Sequence, residues 1–120
     1  MLDTGSNNGF KFDIVVGNPP YIRSKNISEV DKEVIKNYSV YHGNADLLCY
    51  FYEFGFNLLK DGGVLGYITS NKWLTANYGE PLRGFITDKC ELIGILDFKD
   101  NRVFKGVGVD TEITFLRKKG

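Results

Sequence analysis

The chain has 120 residues, which is enough for one small domain with a modest hydrophobic core. Its 15 lysines and arginines balance 15 aspartates and glutamates, so it lacks the strongly basic charge of a domain that binds nucleic acid on its own. The sequence has neither a signal-peptide pattern nor an apolar run long enough to span a bilayer. We therefore expect a cytoplasmic protein without a membrane partner.

The cysteines and the histidine, residue types that often act in catalysis or metal binding, give no indication of a catalytic or metal-binding site in this sequence. Cys49 and Cys90 lie in apolar segments without a Cys-x-x-Cys spacing, which is typical of reduced core residues. His42 is the only histidine, so we expect no metal site and no Ser-His-Asp triad. Basic residues cluster towards the C-terminus, where they form either a phosphate-binding patch or an ordinary solvated surface: Lys99, Arg102, Lys105, Arg117, Lys118 and Lys119.

The first elements in chain order are a polar segment and a strand. Residues 1–9 are polar, and we expect a disordered lead-in, a cloning remnant or a truncated loop. Residues 12–16 are apolar and β-branched, which predicts a strand buried on both faces, as in a parallel sheet. Residues 18–21 then follow the carboxyl end of that strand, where open α/β sheets bind their ligands.

Two helices are predicted next. The first spans residues 28–38, is capped by Ser28 and presents one apolar face, formed by Val30, Val34 and Tyr38. The second spans about residues 44–60 and is apolar except for a narrow stripe, formed by Asp46, Glu53, Asn57 and Lys60. The sequence Asp-Gly-Gly at 61–63 ends this helix through a glycine in the left-handed conformation.

The remaining elements are three strands and a helix. Residues 64–69 form a strand, and Pro81 opens a helix whose buried face contains Leu82, Phe85 and Ile86. Strands follow at 92–98 and 111–116, and the glycine loop 106–108 indicates that the last strand returns antiparallel. This order predicts an α/β fold whose parallel strands end in an antiparallel hairpin.

The sequence Asn18-Pro19-Pro20-Tyr21 suits the methylation of a planar amino group. Such a nitrogen is a poor nucleophile because its lone pair is delocalised. The Asn18 side-chain oxygen and the Pro19 carbonyl oxygen can accept hydrogen bonds from its two N–H groups, which makes the lone pair available. Proline also stiffens the turn. Tyr21 offers a face on which a ring can stack. The alternative is a strand end followed by a Pro-Pro turn with a surface tyrosine.

Four segments resemble, in the same order, the DNA adenine methyltransferases of restriction-modification systems. They are residues 12–22, which look like motif IV, 44–51, which look like motif V, 61–74, and the hairpin at 103–104 with 111–116. The resemblance implies that residues 10–120 are the second half of a class I (Rossmann-like) S-adenosylmethionine-dependent methyltransferase sheet, containing motifs IV to VIII.

The resemblance also implies roles for individual residues. Asn18, Pro19, Pro20 and Tyr21 would form the catalytic motif, and Asn18 would also lie at the methyl donor. Phe51 would pack against the donor's adenine, although plain core packing explains it equally. Phe104 would hold the target base opposite Tyr21, with packing under the hairpin as the alternative.

Three further residues near the expected site have less specific roles. Asp46 would face the pocket or only stabilise the start of its helix. We expect Trp73 to pack and Lys72 to face DNA.

The resemblance covers only half of such a catalytic domain. The half that would hold the donor's methionine part and ribose is absent, so the intact parent would bind S-adenosylmethionine and DNA, and this segment alone would be inactive. The unpaired edge at residues 12–16 would favour a homo-oligomer. Methylation of a protein glutamine or of ribosomal RNA remains an alternative, because those families also contain Asn-Pro-Pro-Tyr.

Overall fold

The structure, a computed structural model, describes residues 10–97 and 111–120. Within these ranges four strands form one sheet: β1 (Phe12–Gly17), β2 (Leu59–Ser70), β3 (Cys90–Asp97) and β4 (Thr111–Lys118). Their spatial order is β1-β2-β4-β3, with β1 and β2 parallel and β4 antiparallel to both of its neighbours. The predicted parallel sheet with an antiparallel return is therefore confirmed. The expected lead-in and the glycine loop lie outside the described residues.

The four strands share one end that is important for function. Because β4 runs opposite to its neighbours, the last residues of β1, β2 and β3 lie at the same end of the sheet as the first residues of β4. Ser70 pairs with Thr111 there, and Thr69, Glu112 and Asp97 form the next row. We call this end the carboxyl end of the sheet.

The first helix, α1 (Glu29–Ile35), is shorter than the sequence predicts. Ser28 caps it as expected, since its Oγ accepts a hydrogen bond of 3.2 Å from the Asp31 backbone N–H. The predicted apolar face is wrong at Val30, which is 76% exposed, whereas Ile35 is buried. The physical reason is that only the last turn of α1 packs against the core.

The second helix, α2 (Leu47–Asn57), ends before the glycines that were expected to terminate it. The register between β1 and β2 shifts within residues 60–63, which form a bulge in β2. Gly62 has a φ of 81°, so its predicted left-handed conformation is confirmed, but it serves this bulge. The boundary was wrong because the pattern of apolar residues continues from α2 into β2 without a break.

One residue of the expected polar stripe on α2 is buried. Glu53 is 8% exposed, and its Oε1 accepts a hydrogen bond of 3.0 Å from the backbone N–H of Val40. The loop before α2 therefore covers this side of the helix, and the carboxylate satisfies a buried backbone donor.

The expectation that β1 is buried on both faces is wrong for this chain. Ile14 is 68% exposed and Val16 is 74% exposed. β1 lies at the edge of the sheet, and the helices in the described part of the chain pack on the opposite face. The apolar sequence of β1 is that of an interior strand, so its open face indicates a surface that is suited to further packing.

The third helix, α3 (Glu80–Lys89), matches its prediction closely. Pro81 lies in the first turn, and Leu82 and Ile86 are buried. The ring of Phe85 packs edge-on against Phe56 of α2, with a distance of 4.9 Å between the ring centroids. α2 and α3 thus bury one face of the sheet, which positions the carboxyl ends of the strands as a rigid platform.

Candidate active site

The predicted catalytic motif follows β1 directly, at the carboxyl end of the sheet, as a segment without helix or strand structure. We call residues 18–21 the Asn18 turn. Pro19 is buried and anchors it, whereas Asn18 is exposed. Among residues 10–97 and 111–120, no donor occupies the Asn18 side-chain oxygen or the Pro19 carbonyl oxygen. Neither acceptor is therefore used by the described part of the protein.

A groove of about 320 Å³ opens beside this turn. Its walls come from the end of β1, the Asn18 turn, α2 and β2, and its principal lining residues are Asn18, Pro19, Pro20, Phe51, Phe54 and Tyr67. We call it the aromatic groove. The structure thus brings Phe51 together with the Asn18 turn, as the resemblance implied, and adds a second phenylalanine one turn further along α2.

Tyr67 of β2 holds α2 in position over the sheet. Its hydroxyl donates a hydrogen bond of 2.9 Å to the backbone carbonyl of Phe51. Its ring passes between two glycines: a Cβ on Gly17 would lie 3.3 Å from the ring, and a Cβ on Gly55 would collide with the hydroxyl. The absence of side chains at these two positions lets the helix, the turn and Tyr67 approach closely.

Tyr21 is the last residue of the Asn18 turn. Its side chain is 44% exposed and does not line the aromatic groove. Partial burial, and then the nearby Glu112 carboxyl, raise the pKa of the Tyr21 hydroxyl. A partly exposed aromatic side chain, close enough to Glu112 for an electrostatic interaction, is therefore present at the end of the turn.

The predicted base-binding residue Phe104 lies outside the described residues, as do Lys99, Arg102 and Lys105. Its position relative to Tyr21 remains a prediction from the resemblance.

Two of the three further residues expected near the site, Asp46 and Trp73, form side-chain hydrogen bonds within the protein. Asp46 precedes α2, and its Oδ2 accepts a hydrogen bond of 3.2 Å from the Tyr78 hydroxyl. Its side chain does not cap the helix. Trp73 is buried, as predicted, and its Nε1 donates to Glu112 at 3.2 Å. Lys72 beside it is exposed.

Sequence reasoning missed Glu112 and Tyr67. Glu112 is fully buried and lies in the middle of a hydrogen-bonded group. The alternation of β4 carried a signal for this position, because Glu112 and Thr114 share a face with the buried Leu116. The close approach of Tyr67 to α2 had no comparable signal, since it depends on glycines distant in sequence.

The cysteines and the histidine behave as the sequence predicts. Both cysteines are buried free thiols, and burial raises the pKa of Cys49 to about 12 and that of Cys90 to about 11. His42 lies in a loop, where its Nδ1 accepts a hydrogen bond of 3.0 Å from the Asn44 backbone N–H. In the described ranges, no cluster of side chains is suited to hold a metal ion, and no helix is long and apolar enough to cross a membrane.

The geometry is suited to a flat ligand that carries N–H donors. The Asn18 turn has two acceptors without hydrogen bonds to the described residues, the aromatic groove adjoins it, and Tyr21 ends it with a partly exposed ring. Preorganised acceptors on a rigid turn are effective because they need no reorganisation when charge develops on their partner.

Comparison with known proteins identifies the family. The model described as "Eco57I restriction-modification methylase" matches residues 3–104. Type II methyltransferase M.BstVI of Geobacillus stearothermophilus is 40% identical over 96 residues, which are 79% of this chain and 17% of that protein. Type II methyltransferase M.PaeR7I of Pseudomonas aeruginosa is 33% identical over 112 residues, or 92% of this chain and 20% of the relative. The chain therefore spans about a fifth of these relatives' length.

Solved structures share the fold. A Listeria monocytogenes protein assigned to the class I S-adenosylmethionine-dependent methyltransferases matches with a TM-score of 0.75 and 20% identity, over 92% of this chain and 33% of the other. The M protein of the type I restriction enzyme EcoKI matches with a TM-score of 0.65 and 22% identity, over 98% of this chain and 23% of its own length. The predicted partial Rossmann-like methyltransferase fold is confirmed, and the chain belongs to the Eco57I restriction-modification methylase family.

Proposed function

We propose that this chain is the motif IV to VIII part of a DNA methyltransferase catalytic domain, whose substrate is the exocyclic amino group of adenine. The observation that carries the proposal is the Asn18 turn, where two unoccupied acceptors adjoin the aromatic groove at the carboxyl end of the sheet. Family membership and the small share of the relatives' length support the assignment to part of a larger domain. The open apolar face of β1 is consistent with this, since an interior strand needs a covering layer.

The Asn18 turn would activate the amino nitrogen. The Asn18 side-chain oxygen and the Pro19 carbonyl oxygen would accept hydrogen bonds from its two N–H groups. This would draw the nitrogen lone pair out of conjugation with the ring. The buried Pro19 keeps both acceptors fixed. Their contribution is electrostatic and geometric, because they stabilise the positive charge that develops on the nitrogen as the methyl group is transferred.

The aromatic groove would hold the methyl donor. Its volume of about 320 Å³ is enough for a purine-sized ring, and Phe51 and Phe54 provide apolar faces beside Asn18. When bound, S-adenosylmethionine supplies an electrophilic methyl group. Phe51 and Asn18 would orient the donor towards the turn, and Tyr67 would keep Phe51 in place through its carbonyl.

Tyr21 would hold the target base at the end of the turn. Stacking of a base on an aromatic side chain contributes roughly 1–3 kcal/mol, which partly offsets the cost of extruding the base from the duplex. Phe104 would provide the second aromatic contact. The reaction would occur in the cytoplasm, where bacterial DNA is found.

An assay with labelled donor and three separate substrates tests this function. The full-length protein that contains this chain is incubated with duplex DNA, ribosomal RNA and a glutamine-containing release factor. We expect label in DNA alone, recovered as N6-methyladenine by nucleoside mass spectrometry. Because the relatives are restriction-modification methyltransferases, the RNA and glutamine alternatives are not favoured, and label in either substrate or on cytosine would contradict the proposal.

The chain by itself should be inactive. The aromatic groove covers only one side of a donor, and we propose that the remaining contacts come from other parts of the full-length protein. Titration calorimetry of the chain with S-adenosylmethionine should therefore detect no micromolar binding, whereas micromolar affinity would contradict this statement. The free edge of β1 would also allow the isolated chain to self-associate, which light scattering detects.

A further inference from the structure

Glu112 occupies an unusual place for a carboxyl group. It is fully buried in the second row of residues from the carboxyl end of the sheet. Its Oε1 accepts three hydrogen bonds, from Thr114 Oγ1 at 2.7 Å, Thr69 Oγ1 at 3.2 Å and Trp73 Nε1 at 3.2 Å. We call these four residues, together with Tyr52, the Glu112 cluster. Its members come from α2, β2, β4 and the turn that follows β2.

The protons in the cluster can be assigned from its connectivity. A threonine hydroxyl has one proton, and Thr69 uses it to donate to Glu112. The Tyr52 hydroxyl, 2.8 Å from Thr69 Oγ1, must then be the donor of that pair. The hydrogen bonds therefore run from Tyr52 through Thr69 to Glu112, and α2 is linked to β4 through β2.

The two carboxyl oxygens of Glu112 have different surroundings. Oε1 has three donors, whereas no donor or acceptor among the described residues reaches the buried Oε2. Oε2 has no partner among the described residues in either protonation state, and an unpaired negative oxygen in the core costs more than an unpaired neutral hydroxyl. Burial raises the pKa of Glu112 more than its three hydrogen bonds lower it, and Asp97 on β3 raises it further. The other titratable groups facing it are the hydroxyls of Tyr21 and Tyr52.

We propose that Glu112 is a positioning residue for the methyl transfer: as an uncharged carboxylic acid it holds the end of β2, the turn after β2 and the start of β4 in register at the end of the sheet where Tyr21 follows β1. The inference rests on the proposed function, because it assigns Tyr21 to the target base. Glu112 itself is buried and touches no substrate. It acts through Trp73, whose carbonyl is also bound by the Arg83 guanidinium at 2.7 Å, so that the turn is fixed from two sides.

Two substitutions of Glu112 in the full-length protein test this role. Glu112→Gln keeps the shape, the neutral charge and the Oε1 acceptor, so kcat should stay within about threefold of the wild-type value. Glu112→Ala removes the acceptor for three donors, and kcat should fall by roughly ten- to a hundredfold while KM for DNA changes little, since misplacement of the reacting groups affects the chemical step. Glu53→Gln, at a buried glutamate on the other side of α2, is the matched control and should leave both constants unchanged.

A further variant protects the test against a folding failure of Glu112→Ala. Trp73→Phe keeps an aromatic ring in the core but removes the Nε1 donor and part of the side-chain volume, and it should lower kcat several-fold. Wild-type kcat in both Glu112→Ala and Trp73→Phe would overturn the proposal. A Glu112→Gln variant as impaired as Glu112→Ala would also overturn it, because the charge would then be needed. If DNA is not methylated by the wild type at all, the proposed function fails, which is a distinct result.

Discussion

In the Asn18 turn, the acceptors on Asn18 and Pro19 are free of hydrogen bonds to the described residues, and Asn18 is exposed. In the Glu112 cluster, by contrast, one carboxyl oxygen accepts three hydrogen bonds and the whole side chain is buried. The contrast indicates a division of work at one end of the sheet. The polar groups of the Glu112 cluster hydrogen bond to one another and hold the strands together, whereas those of the Asn18 turn have no partner among the described residues and can bind a ligand. We call the Glu112 cluster, together with Tyr67 and Gly55, the frame. Substitutions in the frame should therefore affect stability, and substitutions in the Asn18 turn should affect only activity.

The largest effect on stability is expected at Gly55, where the frame is tightest. Gly55→Ala places a Cβ against the Tyr67 hydroxyl and 2.7 Å from Leu65 Cδ1. Either α2 or Tyr67 must move, and the free energy of unfolding should fall by about 3 kcal/mol in a urea titration. Gly84→Ala in α3 is the control, because its Cβ meets nothing within 4 Å and should stabilise the helix by about 0.5–1 kcal/mol. Equal effects of the two substitutions would contradict this packing.

A smaller effect is expected for the hydrogen bond that holds Phe51. Tyr67→Phe removes the donor to the Phe51 carbonyl and keeps the ring, so the free energy of unfolding should fall by about 1 kcal/mol. In the full-length protein the same substitution should raise the Kd for S-adenosylmethionine, measured by calorimetry. An unchanged Kd would mean that the Tyr67 hydroxyl does not contribute to donor binding.

The Glu112 cluster predicts a pH dependence that the Asn18 turn does not share. Because the pKa of Glu112 is raised in the folded chain, the folded chain keeps its proton to higher pH than the unfolded chain does. Stability is then lost as pH rises from about 4.3, the ordinary glutamate pKa, through the folded pKa. Glu112→Gln removes this loss, because glutamine does not ionise. The Tm of the variant minus that of the wild type should therefore increase as pH rises from about 4.3 through the folded pKa of Glu112. A constant Tm difference would contradict a neutral Glu112.

The smallest effect on stability is expected for the turn itself. Asn18→Ala removes an exposed amide that binds none of the described residues, so the free energy of unfolding should change by less than about 0.5 kcal/mol. A loss of several kcal/mol would mean that Asn18 belongs to the frame.

Local patterns in the sequence predicted those features that depend on nearby residues. Ser28 caps α1, Pro81 opens α3, and the alternation of residues 111–116 forms a strand, because each signal acts within a few residues. The exposure of β1 was not predictable, since its apolar sequence is that of an interior strand while the described chain covers one face of it. The end of α2 was missed because apolar residues continue into β2.

The candidate site divides in the same way. Asn18, Pro19, Pro20 and Phe51 were predicted because a short motif and its family spacing contain them, and the structure places these four around one groove, whereas Tyr21 lies outside it. The frame was missed because it is made by contacts between distant segments. Glu112 meets Thr69 across 43 positions, and Tyr67 meets Phe51 across 16. Only the fold brings these partners together.

The most direct test of the central claim is the single-turnover rate of methyl transfer in the full-length protein that carries Asn18→Ala. Donor binding and Tm serve as checks that the groove and the frame are intact, and Asn26→Ala, at an exposed asparagine in the short 3₁₀ helix Ser24–Asn26, is the matched control. We expect Asn18→Ala to lower the rate by about 10²–10³-fold and Asn26→Ala to leave it unchanged. A wild-type rate in the Asn18→Ala protein would contradict the claim that this amide activates the amino group.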